Sequence, residues 1–108
     1  MILVIGGVAQ GKTSYVKKNY PDRKYFDDFE DWFKEKLISG GKPEEEAEKY
    51  MEENPEAVII CDEVGCGVVP TGAFDREYRE RLGRCLIKIA EGSDRVIRIF
   101  CGAGTVIK

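Results

Sequence analysis

The sequence predicts an α/β fold, a sandwich built on a mostly parallel sheet. Short, continuous apolar runs at Ile2–Ile5 and Ala57–Cys61 read as buried strands, and Arg95–Cys101, apolar apart from its two arginines, reads as a further strand. Stretches with helical apolar spacing alternate with them, and that alternation favours parallel strands joined by helices. The first run also ends on Gly6-Gly7, where a strand would enter a glycine-rich turn.

In chain order, the strand near 2–6 leads into a helix from about Lys12 to Lys18, which ends before Asn19-Tyr20-Pro21 because Pro21 disfavours helical geometry at Tyr20. Lys24-Tyr25-Phe26-Asp27 is a short aromatic strand. Phe29, Trp32, Phe33 and Leu37 follow i, i+3, i+4, i+8 and form one apolar helix face. Ser39-Gly40-Gly41 interrupts that helix, and Pro43 opens the next at its first turn. Glu44, Glu45 and Glu46 lie where the helix dipole favours acids. Residues 44–56 hold seven glutamates against one lysine, a solvated face. The strand near 57–62 ends in Asp62-Glu63. After a loop through Gly65, Gly67, Pro70 and Gly72, a long amphipathic helix carries Phe74, Tyr78, Leu82, Cys85, Leu86 and Ile89, and Gly92 closes it. The strand near 95–101 is last, followed by Gly102-Ala103-Gly104 and a short apolar tail.

The 108 residues suit a single domain, since two would each lack a core. A net charge of −3 argues against general capture of nucleic acid or an anionic membrane, though not against a local phosphate site. No apolar run approaches the ~20 residues of a membrane span. Met1 to Gly7 lacks the flanks of a signal peptide, so the expected location is cytoplasmic. With no histidine in the sequence, Ser-His and Cys-His catalysis are excluded and a typical structural zinc site is disfavoured. Cys61, Cys85 and Cys101 sit in apolar stretches and read as reduced core or near-core thiols.

The chemistry concentrates at Gly6-Gly7-Val8-Ala9-Gln10-Gly11-Lys12-Thr13, which fits G-x-x-x-x-G-K-[ST] without a mismatch. In such a phosphate-binding loop (P-loop), backbone N–H groups turn inward around phosphate. Lys12 reaches the outer phosphates and the Thr13 hydroxyl can ligate Mg²⁺. The start of the following helix, with Ser14, adds its positive dipole end. The fold expected is thus a minimal P-loop NTPase-like three-layer sandwich, with a mostly parallel sheet of about four to five strands. A metal-side acid belongs at the end of a neighbouring strand. Asp62 is the natural choice from the residues alone, and Glu63 beside it can hold a water or take a substrate proton. Capping of the loop is the structural alternative for both.

Asp62-Glu63-Val64-Gly65-Cys66-Gly67-Val68-Val69-Pro70 resembles the N-E-V-G-x-G-[IV]-V-P signature of the adenosylcobinamide kinase/adenosylcobinamide-phosphate guanylyltransferase family, bifunctional enzymes of late cobalamin assembly. Arg76-Glu77-Tyr78-Arg79-Glu80 is similar to that family's R-x-[FY]-R-[DE]. Gly83, Ala90, Asp94 and the stretch from Gly102 to Lys108 fall at matching spacings, as does the N-terminal segment. The chain departs from the pattern where Asp62 replaces the family's asparagine. Asp27 and Trp32 match the family's D-C-L-T-x-W in spacing only. Between the first helix and Asp27 the H-R-x-x-R-P-x-x-W segment, whose histidine is guanylylated, is missing.

The resemblance implies an ATP- or GTP-dependent kinase with Mg²⁺, a nucleoside triphosphate and a cobinamide-type corrinoid as partners, while the missing histidine and its segment imply no guanylyltransferase activity. It makes Asp27 the metal-side acid, with Asp62 on the adjacent strand, and places the strand near 57–62 between those near 2–6 and 24–27. The sites expected are Lys12, Asp62 and Glu63 for catalysis and Thr13 with Asp27 or Asp62 for metal. The phosphates fall to Gly6, Gly7, Val8, Ala9, Gln10, Gly11, Lys12, Thr13 and Ser14, with Arg76 and Arg79 as clamps. Open sheet edges add a homo-oligomer to the expected partners. The competing class is a nucleotide-binding sensor or partner module that has lost the reaction.

Overall fold

In the computed structural model, which describes residues 1–7, 9–63 and 72–108, the apolar runs of the sequence become the middle of a five-stranded sheet. The elements follow as β1 (Ile2–Gly6), α1 (Lys12–Asn19), β2 (Tyr25–Phe26), α2 (Phe29–Ile38), α3 (Pro43–Glu53), β3 (Val58–Asp62), α4 (Ala73–Gly92), β4 (Arg95–Phe100) and β5 (Ala103–Val106). The strand order is β2-β3-β1-β4-β5, parallel except for the last pair. As expected, β3 lies between β1 and β2.

The period-two alternation of strand side chains divides the core into two layers. Leu3, Ile59, Cys61 and Val96 face α2, α3 and α4, where Phe29, Phe33, Ala47, Tyr78, Leu82 and Ile89 complete the larger layer. Ile2, Val4, Val58, Ile60, Ile97 and Ile99 face the other way and are covered by Val16 of α1, with Tyr15 and Tyr20 at the margin. The result is helix, sheet and helix in three layers.

The sequence marks no strand after β4, only Gly102-Ala103-Gly104 and a short apolar tail, whereas the structure forms β5 from Ala103 to Val106. Its four residues are all exposed and two of them are alanine and glycine, so no alternation marks it. What makes it a strand is antiparallel pairing with β4, from Phe100↔Ala103 to Ile97↔Val106. Cys101 also departs from expectation. It is not core but an exposed turn residue just beyond β4. Gly92 is the last residue of α4, and the cap is Ser93 in extended conformation. No helix among the described residues is long and apolar enough to cross a membrane.

Candidate phosphate-binding site

Parallel registration brings the carboxyl ends of three strands together: Gly6 is level with Asp62 of β3 and with Ile99 of β4. The chain leaves β1 there, at the point where its two neighbours lead to opposite edges of the sheet. Open α/β sheets bind ligands at such switch points. Gly6 has to be glycine because a Cβ would stand 2.7 Å from the Ile99 carbonyl oxygen. The loop then holds Ala9 at φ 58° and Gly11 at φ 84° before α1 begins at Lys12. An alanine in the left-handed region is strained, and such strain collects at functional loops. No side chain caps α1, so its first N–H groups keep their donor capacity.

A cavity of about 260 Å³ lies against this loop, lined by Ala9, Gln10, Gly11, Lys12, Thr13, Ser14, Asp27, Asp28 and Asp62. Two polar pairs define it. Lys12 is only 8% exposed, unusual for a lysine. Its ammonium donates to the Gly7 carbonyl at 2.7 Å and pairs with Asp62 Oδ1 at 2.5 Å. The Thr13 hydroxyl donates to Asp27 Oδ2 at 2.8 Å. Asp27 Oδ1 accepts the N–H of Asp28, itself left-handed at φ 51°, which turns the chain from β2 into α2. The neighbouring Asp27 charge is the main reason the Asp28 carboxyl is pushed above the usual range.

Glu30 carries no signal in the sequence because, beside Asp31 in the first turn of α2, it reads as the polar side of an amphipathic helix. It is buried, and its carboxylate accepts the N–H of Asp62 at 2.9 Å and that of Asp31 at 3.2 Å. Burial raises its pKa. The Glu30 carbonyl accepts the Tyr78 hydroxyl at 3.0 Å, so α2 ties β3 to α4 directly behind the cavity. Arg98 was also missed. Its Nε and one terminal nitrogen meet the two Glu63 oxygens at 2.9 and 3.2 Å, while Glu63 N–H donates to Gly6. Neither residue carries a motif signal: the docking of α2 brings Glu30 to Asp62, and the sheet brings Arg98 to Glu63.

The structure therefore gathers Ala9, Gln10, Gly11, Lys12, Thr13, Ser14, Asp27 and Asp62 around one cavity and keeps Gly6 and Gly7 directly beneath it. Glu63 sits next to it, committed to Arg98. Arg76 and Arg79, on the first turns of α4, are not among the lining residues; Arg76 is exposed, and Arg79 pairs with Asp75 at 3.3 Å. Val8 and most of the signature from Val64 to Pro70 lie outside the described residues.

A three-layer α/β sandwich with a glycine-rich loop leading from its central strand into a helix has the architecture of the P-loop NTPases. Within that class, residues 26–107 match the family model described as cobinamide kinase / cobinamide phosphate guanyltransferase. The chain belongs to this family, and membership brings a nucleotide-binding role in cobalamin biosynthesis. The match begins at Phe26, downstream of the loop and α1. Among curated proteins, no match to the chain is found.

Proposed function

We propose that this single domain binds ATP or GTP at residues 6–14 and transfers the terminal phosphoryl group to a cobinamide-type acceptor, without guanylyl transfer. The observation that carries the reading is the buried Lys12 ammonium at the mouth of the loop, with the Thr13–Asp27 pair on the same cavity wall. Phosphoryl transfer needs positioning and charge stabilisation more than covalent help from the protein. The loop amides would hold the phosphates. Lys12 would exchange its Asp62 and Gly7 partners for the outer phosphate oxygens.

Thr13 Oγ1 and Asp27 Oδ2 are two hard oxygens 2.8 Å apart at the cavity wall, the donor chemistry that suits Mg²⁺. They are the residues that would hold it, with Asp62 close by. Bound there, the ion would neutralise phosphate charge. Asp62, already on Lys12, fits a role in positioning the lysine at least as well as one in holding metal.

Calorimetric titration with non-hydrolysable ATP and GTP analogues, with and without Mg²⁺, tests the reading. Mg²⁺-dependent binding is the expected result, and no binding of either analogue defeats it. A second reading, a nucleotide-binding module that has lost the reaction, is favoured by the two-point pairing of Glu63 with Arg98, which occupies both oxygens of the acid suited to orient an acceptor hydroxyl. Turnover with cobinamide separates the two.

The absence of guanylyl transfer rests on composition. The family's covalent step uses a histidine, and this sequence has none. Only Asn19 to Tyr25 stand where the histidine segment would lie. Labelled GTP with Mg²⁺ should leave the denatured protein unlabelled. A stoichiometric label would overturn that part of the proposal, and its position would name the replacement nucleophile.

A further inference from the structure

β4 and β5 are joined by only two residues, Cys101 and Gly102, with φ of 50° and 75°. Two-residue hairpin loops favour type I′ turns, which require positive φ at both positions and prefer asparagine, aspartate or glycine there. Glycine adopts this region freely, whereas cysteine does so under strain. The turn is held from outside, by the phosphate loop. Both of its N–H groups donate to one residue: Cys101 to Gln10 Oε1 at 2.7 Å, and Gly102 to the Gln10 carbonyl at 2.8 Å.

Two further contacts lie along the same line. A Cβ on Gly11 would stand 3.4 Å from Gly102 Cα, so the two backbones touch. One turn into α1, the Tyr15 ring lies on Gly104 so closely that a Cβ there would come within 2.5 Å of it. The loop and the first turn of α1 thus lean on the hairpin at three successive points. Cys101, Gly102 and Gly104 themselves are not among the residues lining the cavity.

We propose that the Cys101–Gly104 end of the hairpin is a positioning element for the phosphate loop, with Gln10 as the residue that couples them. A cradle of backbone amides binds anions well only when it is already in shape, because ordering it on binding subtracts from affinity. Gln10 spends its side-chain carbonyl on the Cys101 amide and so fixes the backbone between the two left-handed residues Ala9 and Gly11. Triphosphate affinity then depends on a turn outside the cavity. This inference rests on the reading of residues 6–14 as a nucleotide site.

The test uses Gln10→Ala, Gln10→Glu, Gly104→Ala and the double variant Tyr15→Ala/Gly104→Ala. Each is measured for binding of a non-hydrolysable GTP or ATP analogue with Mg²⁺, and for hydrogen exchange of the amides of residues 9–13 without nucleotide. Gln10→Ala removes one hydrogen bond and should weaken binding roughly 3- to 10-fold, with faster exchange in the loop. Gln10→Glu keeps the acceptor oxygen and should hold exchange at the parent rate. Gln10 lines the cavity, so Gly104→Ala supplies the decisive arm. It should weaken binding and speed loop exchange through its collision with Tyr15, and Tyr15→Ala in the double variant should recover much of both, since the Gln10 hydrogen bonds to the turn remain.

Parent-like affinity in Gly104→Ala overturns the proposal, whatever the exchange shows. If the parent binds neither analogue, the nucleotide reading fails by itself, and exchange alone decides whether the hairpin orders the loop. Unchanged exchange in both Gln10→Ala and Gly104→Ala overturns the proposal in that case.

Discussion

On one face of the sheet, α2, α3 and α4 cover Leu3, Ile59 and Cys61 with two fully buried phenylalanines, Phe29 and Phe33, and with Leu82 and Ile89. On the other face, the eight residues of α1 cover Val4, Ile60, Ile97 and Ile99 with essentially one side chain, Val16. The aromatic cluster belongs wholly to the first face: Phe26 meets Phe29, Trp32 and Tyr50 edge to ring at 5.5, 5.2 and 5.1 Å. An eight-residue helix is too short to be stable alone, so α1 depends on docking. Of its two buried residues, Val16 packs and Lys12 faces the site. The difference teaches that the thick face supplies the stability on which a thin, polar and partly strained face can be carried.

The largest effect that would expose this division is at Phe33. Phe33→Ala removes a fully buried ring from the thick layer and should destabilise by about 3–5 kcal/mol, read as a lower urea midpoint. Lys12→Ala should do the reverse. On the proposed reading it would remove a charge-assisted contact with the terminal phosphates, worth about 1.5–3 kcal/mol of triphosphate binding, or roughly a 10- to 150-fold rise in Kd. Diphosphate affinity should fall less and the unfolding midpoint should move little. A lysine variant that unfolds like Phe33→Ala would collapse the comparison, and one that binds triphosphate like the parent would refute the loop assignment.

Within the thin face, the two acids should behave unequally. Asp27 accepts the Thr13 hydroxyl, while Asp62 is engaged by Lys12. Asp27→Asn should therefore reduce the Mg²⁺ dependence of nucleotide binding more than Asp62→Asn. The latter should weaken binding with less change in metal dependence, since it disturbs the lysine. Titrations of Mg²⁺ at fixed nucleotide distinguish them, and equal metal dependence in both variants and the parent would remove both acids from the metal site.

Those same residues show what the sequence makes legible. β1 and β3 are visible because buried parallel strands need unbroken apolar runs, β4 because its β-branched Val96, Ile97 and Ile99 outweigh the two arginines, and α2 because Phe29, Trp32, Phe33 and Leu37 share a face. The glycine-rich loop is visible because Gly6 to Thr13 fit the fixed spacing G-x-x-x-x-G-K-[ST]. β5 is not, since an exposed edge strand with two small residues carries no alternation. Cys101 is misread because the apolar run of β4 continues through it, whereas the chain turns there in a left-handed pair that glycine marks only at the second position. The pairings Lys12–Asp62, Glu30–Asp62 and Glu63–Arg98 are set by register between strands and by the docking of α2. One-dimensional spacing does not encode them.

The smallest expected effect separates the cysteines of the two faces. Cys61 and Cys85 belong to the thick layer and are buried, while Cys101 is exposed on the hairpin that leans on the phosphate loop. Thiol reactivity requires both access and thiolate. Burial pushes the Cys85 thiol up to about 11 and raises that of Cys61 as well. At mildly alkaline pH a maleimide should therefore modify Cys101 in the native protein and leave Cys61 and Cys85 untouched until denaturant is added, as peptide mapping would show. The same shifts give stability a sign. A thiol whose folded pKa is raised keeps its proton in the native state while the unfolded chain loses it, so stability falls as pH rises. For Cys85 that decline begins near its ordinary value of 9.0 and is complete above about 11. Cys85→Ala should flatten this part of the alkaline slope. Rapid native labelling of Cys85, or an alkaline slope indifferent to its removal, would mean that the thick layer opens as readily as the thin one, and the contrast between the two faces would fail at its most sensitive point.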